Sequence, residues 1–159
     1  MVSGPVAVAA LADLGFTHVV WIPDSYLGTW EAAILAERRL RLLRVSREGE
    51  ALGLAAGLLL GGKKPINIVQ CTGLFEAGDA LRNVAHDLKL PLRLIVGVRS
   101  WLTAQKGPTF DTCPRFMEPY LKAWDLPYTF LSADDAPAFR STLREMDAYP
   151  TASVLLIPE

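Results

Sequence analysis

The stretch RVSREGEALGLAAG, Arg44 to Gly57, sets two carboxylates at the mouth of a plain helix. Glu48 and Glu50 open a run of Ala, Leu and Gly that carries no further charge until Lys63. A surface helix normally shows charge along one side, so these acids have two readings. As first-turn residues they favour the positive helix end, with Ser46 as the capping residue. Alternatively, one of them is held in a dry place for chemistry. Spacing alone leaves both open.

Other chemical motifs do not hold. GLLLGGKK matches G-x-x-x-x-G-K from Gly57 to Lys63, but Lys64 follows where a phosphate loop needs Ser or Thr, and the run ends a helix instead of opening one. IPDSYLG has a single glycine and is no dinucleotide fingerprint. His18 opens a strand and His86 lies within a helix beside Asp87, both ordinary structural positions. No His, Cys or Asp grouping has metal-ligand spacing, so this chain is expected to hold no metal.

Strand-like and helix-like segments alternate around these residues. A first helix over about 5–14 stops at Gly15. HVVWIPD, LRLLRVS, INIVQCTG, LRLIVGVRS, PYTFLS and ASVLLIP read as strands. TWEAAILAERR, EGEALGLAAGLLLGG, EAGDALRNVAHDLK, PRFMEPYLKAW and DAPAFRSTLREMDAY read as helices, and 101–113 as a loop. The pattern predicts an α/β fold: an open, mostly parallel six-stranded sheet in three layers, helices on both faces, as one domain over 1–159. Ligands of such sheets sit beyond the carboxyl ends of strands, at a topological switch point. That selects three loops: Pro23-Asp24-Ser25, Ser46-Arg47-Glu48 and Cys71-Thr72-Gly73-Leu74.

Sixteen basic residues against 17 acidic ones, with no basic stripe, argue against nucleic acid. An apolar fraction of 51% without a membrane-length run implies a buried parallel sheet plus an apolar interface with another subunit. The N-terminal MVSGPVAVAALADLG lacks a basic segment and is broken by Asp13, so a helix is expected, not a signal peptide. Two isolated cysteines suggest a reduced, cytoplasmic setting.

Residues 46–65 resemble the pyrimidine-binding domain of thiamine-diphosphate-dependent decarboxylases, whose N-E-x-x-A-x-x-x-A-x-G pattern is met by Glu48, Ala51, Ala55 and Gly57, with Arg47 in place of Asn. IPDSYL, GKKPINIVQCTGL and MEPYLKAWDLPY resemble VPDSLL, GKKPxxxxQNSGLGN and TEPLLEALGIPY of phosphonopyruvate decarboxylases and the sulfopyruvate decarboxylase alpha subunit. The likeness runs from Leu11 to about Phe130.

The resemblance implies that Glu48 hydrogen-bonds N1′ of the cofactor's aminopyrimidine, favouring the imino tautomer that takes the thiazolium C2 proton. That exchange needs a site from which water is excluded. By the same analogy Pro23, Asp24 and Ser25 line the mouth, where Asp24 orients substrate or relays a proton. Thr72, Gly73 and Leu74 pack on the pyrimidine ring. Gln70 and Arg99 contact an anionic substrate, or are merely a strand-end amide and a solvated arginine. Glu50 is left open as a cap, an intersubunit pair or a substrate contact.

Thiamine diphosphate also needs a Mg2+ and diphosphate site, which the family carries on a G-D-G…N motif. GDALRN, Gly78 to Asn83, does not supply it. The expectation is therefore half an active site, completed by a pyrophosphate-binding (beta) subunit in an α2β2 or larger hetero-oligomer that decarboxylates a 2-oxo acid to an aldehyde and CO2. A carboligase, or a non-catalytic assembly subunit of the same fold, are the alternatives. Cys71, Phe75 and Glu76 depart from the family loop, and KGPTFDT puts Phe110 where a His is expected. These changes suggest a bulkier or more apolar pocket and a different 2-oxo acid.

Overall fold

A computed structural model describes residues 2–22 and 24–159. Pro23, expected at the site's mouth, lies outside the described residues. The strands β1 (His18–Trp21), β2 (Arg41–Arg44), β3 (Pro65–Gln70), β4 (Arg93–Val98), β5 (Tyr128–Phe130) and β6 (Ser153–Pro158) form one sheet in the order β2-β1-β3-β4-β6-β5. Every pairing is parallel. The continuous apolar runs of β4 and β6 are buried on both faces, as covered parallel strands must be. The edge strands β2 and β5 stay partly exposed.

Helices α1 (Gly4–Asp13), α2 (Glu31–Ala36) and α8 (Ala136–Asp147) cover one face, where Trp30 packs edge-on against Phe139. Helices α3 (Glu48–Leu60), α4 (Cys71–Glu76), α5 (Gly78–Arg82) and α7 (Cys113–Ala123) cover the other. A 3-10 turn at Leu27–Trp30 precedes α2, and a π-turn at Asn83–Asp87 ends α5. The sixth helix, α6, spans Trp101–Ala104.

The sequence pattern placed most of these elements; the helix expected over 76–89 is instead divided among the end of α4, α5 and the π-turn, and three further differences stand out. Cys71–Leu74, expected as a loop, begins α4 directly after β3. A short helix occupies part of the expected 101–113 loop, entered through Ser100 in the left-handed conformation at φ 61°. The helix expected over 29–39 splits into the 3-10 turn and α2 and ends before Glu37, which is extended. Gly15 ends α1 as expected, at φ 78°. Among the described residues, no helix is long and apolar enough to cross a membrane.

Candidate active site

The chain passes from β1 outward to β2, then back across to β3 on the other side of β1, so the sheet's switch point lies between β1 and β3. Two groups of side chains gather at the carboxyl ends nearby.

The first is built on α3 and α4. Glu48 is the first helical residue of α3, and its half-buried side chain leans over the start of α4. There it lies directly on Gly73: a Cβ at Gly73 would overlap the Glu48 carboxyl group. Gly73 and Leu74 are buried, whereas Thr72 is exposed and donates to the Gln70 side-chain oxygen at 3.0 Å. No hydrogen bond or ion pair engages the Glu48 carboxyl among the described residues.

Glu50 does different work. Its Oε2 accepts the Ser46 backbone N–H at 3.0 Å, closing the helix entrance in the manner of a capping-box acid. Ser46, expected as the capping residue, does not cap with its side chain; Arg47 occupies the N-cap position. Arg47 reaches across instead to an ion pair with Glu76 at the end of α4. Two departures from the family pattern, Arg47 and Glu76, thus meet each other.

The second group lines an open cleft of ≈ 610 Å³ formed by Asp24, Ser25, Gln70, Arg99, Ser100 and Glu159. Strand register explains the grouping. Gln70 pairs with Gly97, and Val98 with Pro158, so the residues that leave β3, β4 and β6 emerge side by side. Asp24 Oδ1 accepts the N–H groups of Tyr26 and Leu27, both at 2.7 Å, and so anchors the 3-10 turn. Arg99 Nε donates to Asp111 Oδ2 at 2.6 Å, and the same oxygen accepts from Ser100 Oγ at 3.0 Å. The Arg99 guanidinium holds the Asp111 carboxyl well below the usual carboxylate range.

Glu159 was not among the residues singled out from the sequence. Its carboxyl folds over Gly97, where an added Cβ would meet its Cδ at 2.9 Å. Its Oε1 is buried without a hydrogen-bond partner among the described residues. Burial pushes its pKa up to about 7; the neighbouring Asp24 carboxylate adds to the rise and Arg99 opposes it. The sequence shows only an acid ending the apolar run SVLLIP; the strand order puts that end beside β4, where ligands of parallel sheets are found.

The structure therefore brings Asp24, Ser25, Gln70 and Arg99 to one cleft and Glu48, Gly73 and Leu74 to an adjoining seat, linked through the Thr72–Gln70 hydrogen bond. Neither of the aromatic residues expected to make the pocket bulkier lines the cleft. Phe110 is fully exposed, and Phe75 turns to Tyr120, ring centroids 5.1 Å apart, because α4 packs against α7.

Comparison with known proteins finds decarboxylases. A phosphonopyruvate decarboxylase of Streptomyces hygroscopicus is 36% identical over 95 residues, 60% of this chain and 24% of that protein. The phosphonopyruvate decarboxylase of Streptomyces viridochromogenes is 29% identical over 131 residues, 82% of this chain and 33% of that protein. The sulfopyruvate decarboxylase alpha subunit of Methanocaldococcus jannaschii is 26% identical over 118 residues, 74% of this chain and 69% of that subunit. The chain is a homologue of these decarboxylases.

It spans about a quarter to a third of the length of the phosphonopyruvate decarboxylases it matches. Benzoylformate decarboxylase from Polynucleobacter necessarius superposes with a TM-score of 0.73 at 21% identity, covering 99% of this chain and 30% of that one. The three-layer α/β fold of this homologue is thus that of one domain of thiamine-diphosphate-dependent decarboxylases. No protein-family model matches the chain.

Proposed function

We propose that residues 1–159 form the pyrimidine-binding (alpha) part of a thiamine-diphosphate-dependent enzyme that decarboxylates a 2-oxo acid. The observation that carries this reading is the unpartnered Glu48 carboxyl seated on Gly73 at the switch point. The glycine beneath the acid lets its carboxyl lie directly against α4, where a planar ring can meet it edge-on, while Leu74 is fully buried beneath and supports that seat from within the core. Residues fit the cofactor on that ground.

When bound, thiamine diphosphate supplies the electron sink that accepts the electrons released with CO2. The protein's own contribution begins with Glu48, which shares a proton with N1′ of the aminopyrimidine and so sets its tautomer. Gly73 fixes the height of that carboxyl, and Glu50 fixes the helix entrance from which it projects. Ser25, Gln70 and Arg99 line the cleft in which the 2-oxo acid lies, and Asp24 holds the wall formed by the 3-10 turn.

Glu48 is half-exposed, so something further must cover it before it can share a proton in a dry site. We assign that cover to a pyrophosphate-binding (beta) subunit bearing G-D-G…N, which also holds Mg2+ and the diphosphate. The outer face of α3 supports this. It presents Gly53, Leu54, Gly57 and Leu60 to solvent, with nothing within 4 Å of a Cβ built at either glycine. An α2β2 or larger assembly in the cytoplasm completes the reading.

The test is calorimetric titration of thiamine diphosphate and Mg2+ into the chain with and without its beta subunit. Binding to the pair and not to the chain alone is expected. Glu48→Gln should nearly abolish turnover of the pair while leaving the fold intact, and full activity in that variant would refute the assignment.

A further inference from the structure

We propose that Glu159 determines the specificity of the cleft, selecting 2-oxo acids with one negative charge over those with two. The inference rests on the decarboxylase reading above and concerns the substrate of the same site.

Position is the first argument. The Glu159 N–H donates to the Val98 carbonyl at 3.2 Å, and the Glu159 carbonyl accepts from the Leu102 N–H at 2.9 Å. The backbone is thus fixed on both sides, and only the side chain is free to respond to a ligand. That side chain covers Gly97, a position where any larger residue would displace it.

Charge is the second. The charged groups facing Glu159 are Asp24 from the β1 side and Arg99 from the end of β4. Arg99, the one cation lining the cleft among the described residues, is already neutralised by Asp111 at 2.6 Å. A substrate that brings a carboxylate can still reach the remaining guanidinium N–H groups. A second anionic group would meet Asp24 and Glu159 without a free cation to receive it.

The relatives are named for phosphonopyruvate and sulfopyruvate, 2-oxo acids that carry an additional phosphonate or sulfonate. This chain's cleft is poorly matched to such a group. A monoanion with a short uncharged chain, of the 2-oxobutyrate type, fits it better. The protonated Glu159 carboxyl donates a hydrogen bond to the ligand's carboxylate or keto oxygen. Once ionised, it repels the same ligand.

The test uses the cofactor-loaded complex of this chain with its beta subunit, with 2-oxobutyrate and sulfopyruvate as probes at pH 6 and 8. For 2-oxobutyrate, KM should rise about tenfold from pH 6 to 8, following the protonated fraction of a group titrating near 7. At pH 8 kcat/KM for sulfopyruvate should be at least about tenfold lower than for 2-oxobutyrate. Glu159→Gln, a neutral isostere, should hold KM for 2-oxobutyrate at its pH 6 level throughout and narrow that preference.

An independent readout is the 13C signal of the Glu159 carboxyl, whose titration should move to higher pH as 2-oxobutyrate binds. Sulfopyruvate used as well as 2-oxobutyrate at pH 8, or an unchanged preference in Glu159→Gln, would overturn the inference and leave the decarboxylase reading standing. Failure of the complex to bind or turn over either acid would overturn both.

Discussion

The Glu48 carboxyl rests on the α-carbon of Gly73, with no room for a Cβ between them. One residue opens α3 and the other lies in the first turn of α4, so this contact locks two helix entrances together at the sheet's switch point. Gly73→Ala should push the acid aside at little cost in stability, because the atoms in the way belong to the half-exposed, flexible Glu48 side chain. The expected outcome is a fall of about tenfold or more in thiamine diphosphate affinity of the assembled enzyme, measured by calorimetry. Circular dichroism should show an unchanged fold.

The two acids of the opening stretch should separate cleanly by stability measurements. Glu50→Ala removes a bond to the Ser46 N–H and should cost about 1 kcal/mol in urea unfolding. Arg47→Asn breaks the ion pair with Glu76, in which the arginine side chain is 74% exposed. Exposed pairs contribute little, so the change should stay below about 1 kcal/mol. Glu48→Gln breaks no hydrogen bond among the described residues and should be near neutral for stability.

Which parts of this were legible in the sequence follows from how far each signal reaches along the chain. Alternation of apolar runs revealed the strands, and the apolar-on-both-sides character of β4 and β6 revealed a doubly covered sheet. Periodicity could not show that Cys71–Leu74 coils straight into α4, because the helix starts without a capping side chain. Motif register singled out Glu48, while its seat on Gly73 depends on two helices meeting although the two residues are separated by 24 others in the chain. Glu159 escaped notice because its place in the cleft comes from β6 inserting between β4 and β5, a crossover that no local pattern encodes.

The outer face of α3 offers a further check. Gly53 and Gly57 have ordinary helical neighbours and open space where a side chain would go. Gly57→Ala should therefore stabilise the isolated chain by up to about 1 kcal/mol, since alanine loses less backbone freedom in a helix. Bulkier Gly57→Trp should leave the isolated chain folded and weaken assembly with the beta subunit by at least about tenfold in sedimentation experiments. Unimpaired assembly would place the partner elsewhere.

The cleft also writes a pH signature into stability. Glu159 has a folded-state pKa near 7 against an ordinary value of 4.5, so the folded protein holds its proton more tightly than the unfolded chain does. Its favourable contribution is complete below about pH 4.5 and is lost as pH rises through 7. Allowing for its partial exposure, the loss should be about 1–2 kcal/mol. Asp111 behaves oppositely. Its carboxyl is held below 3.8 by Arg99, so its contribution is present above that value and disappears as pH falls. Urea unfolding from pH 3 to 8 should show both limbs. Glu159→Gln should flatten the fall between 4.5 and 7 and leave the acid limb in place, whereas Asp111→Asn should weaken the acid limb. A Glu159→Gln profile that still falls by the same amount between 4.5 and 7 would show that another group titrates there.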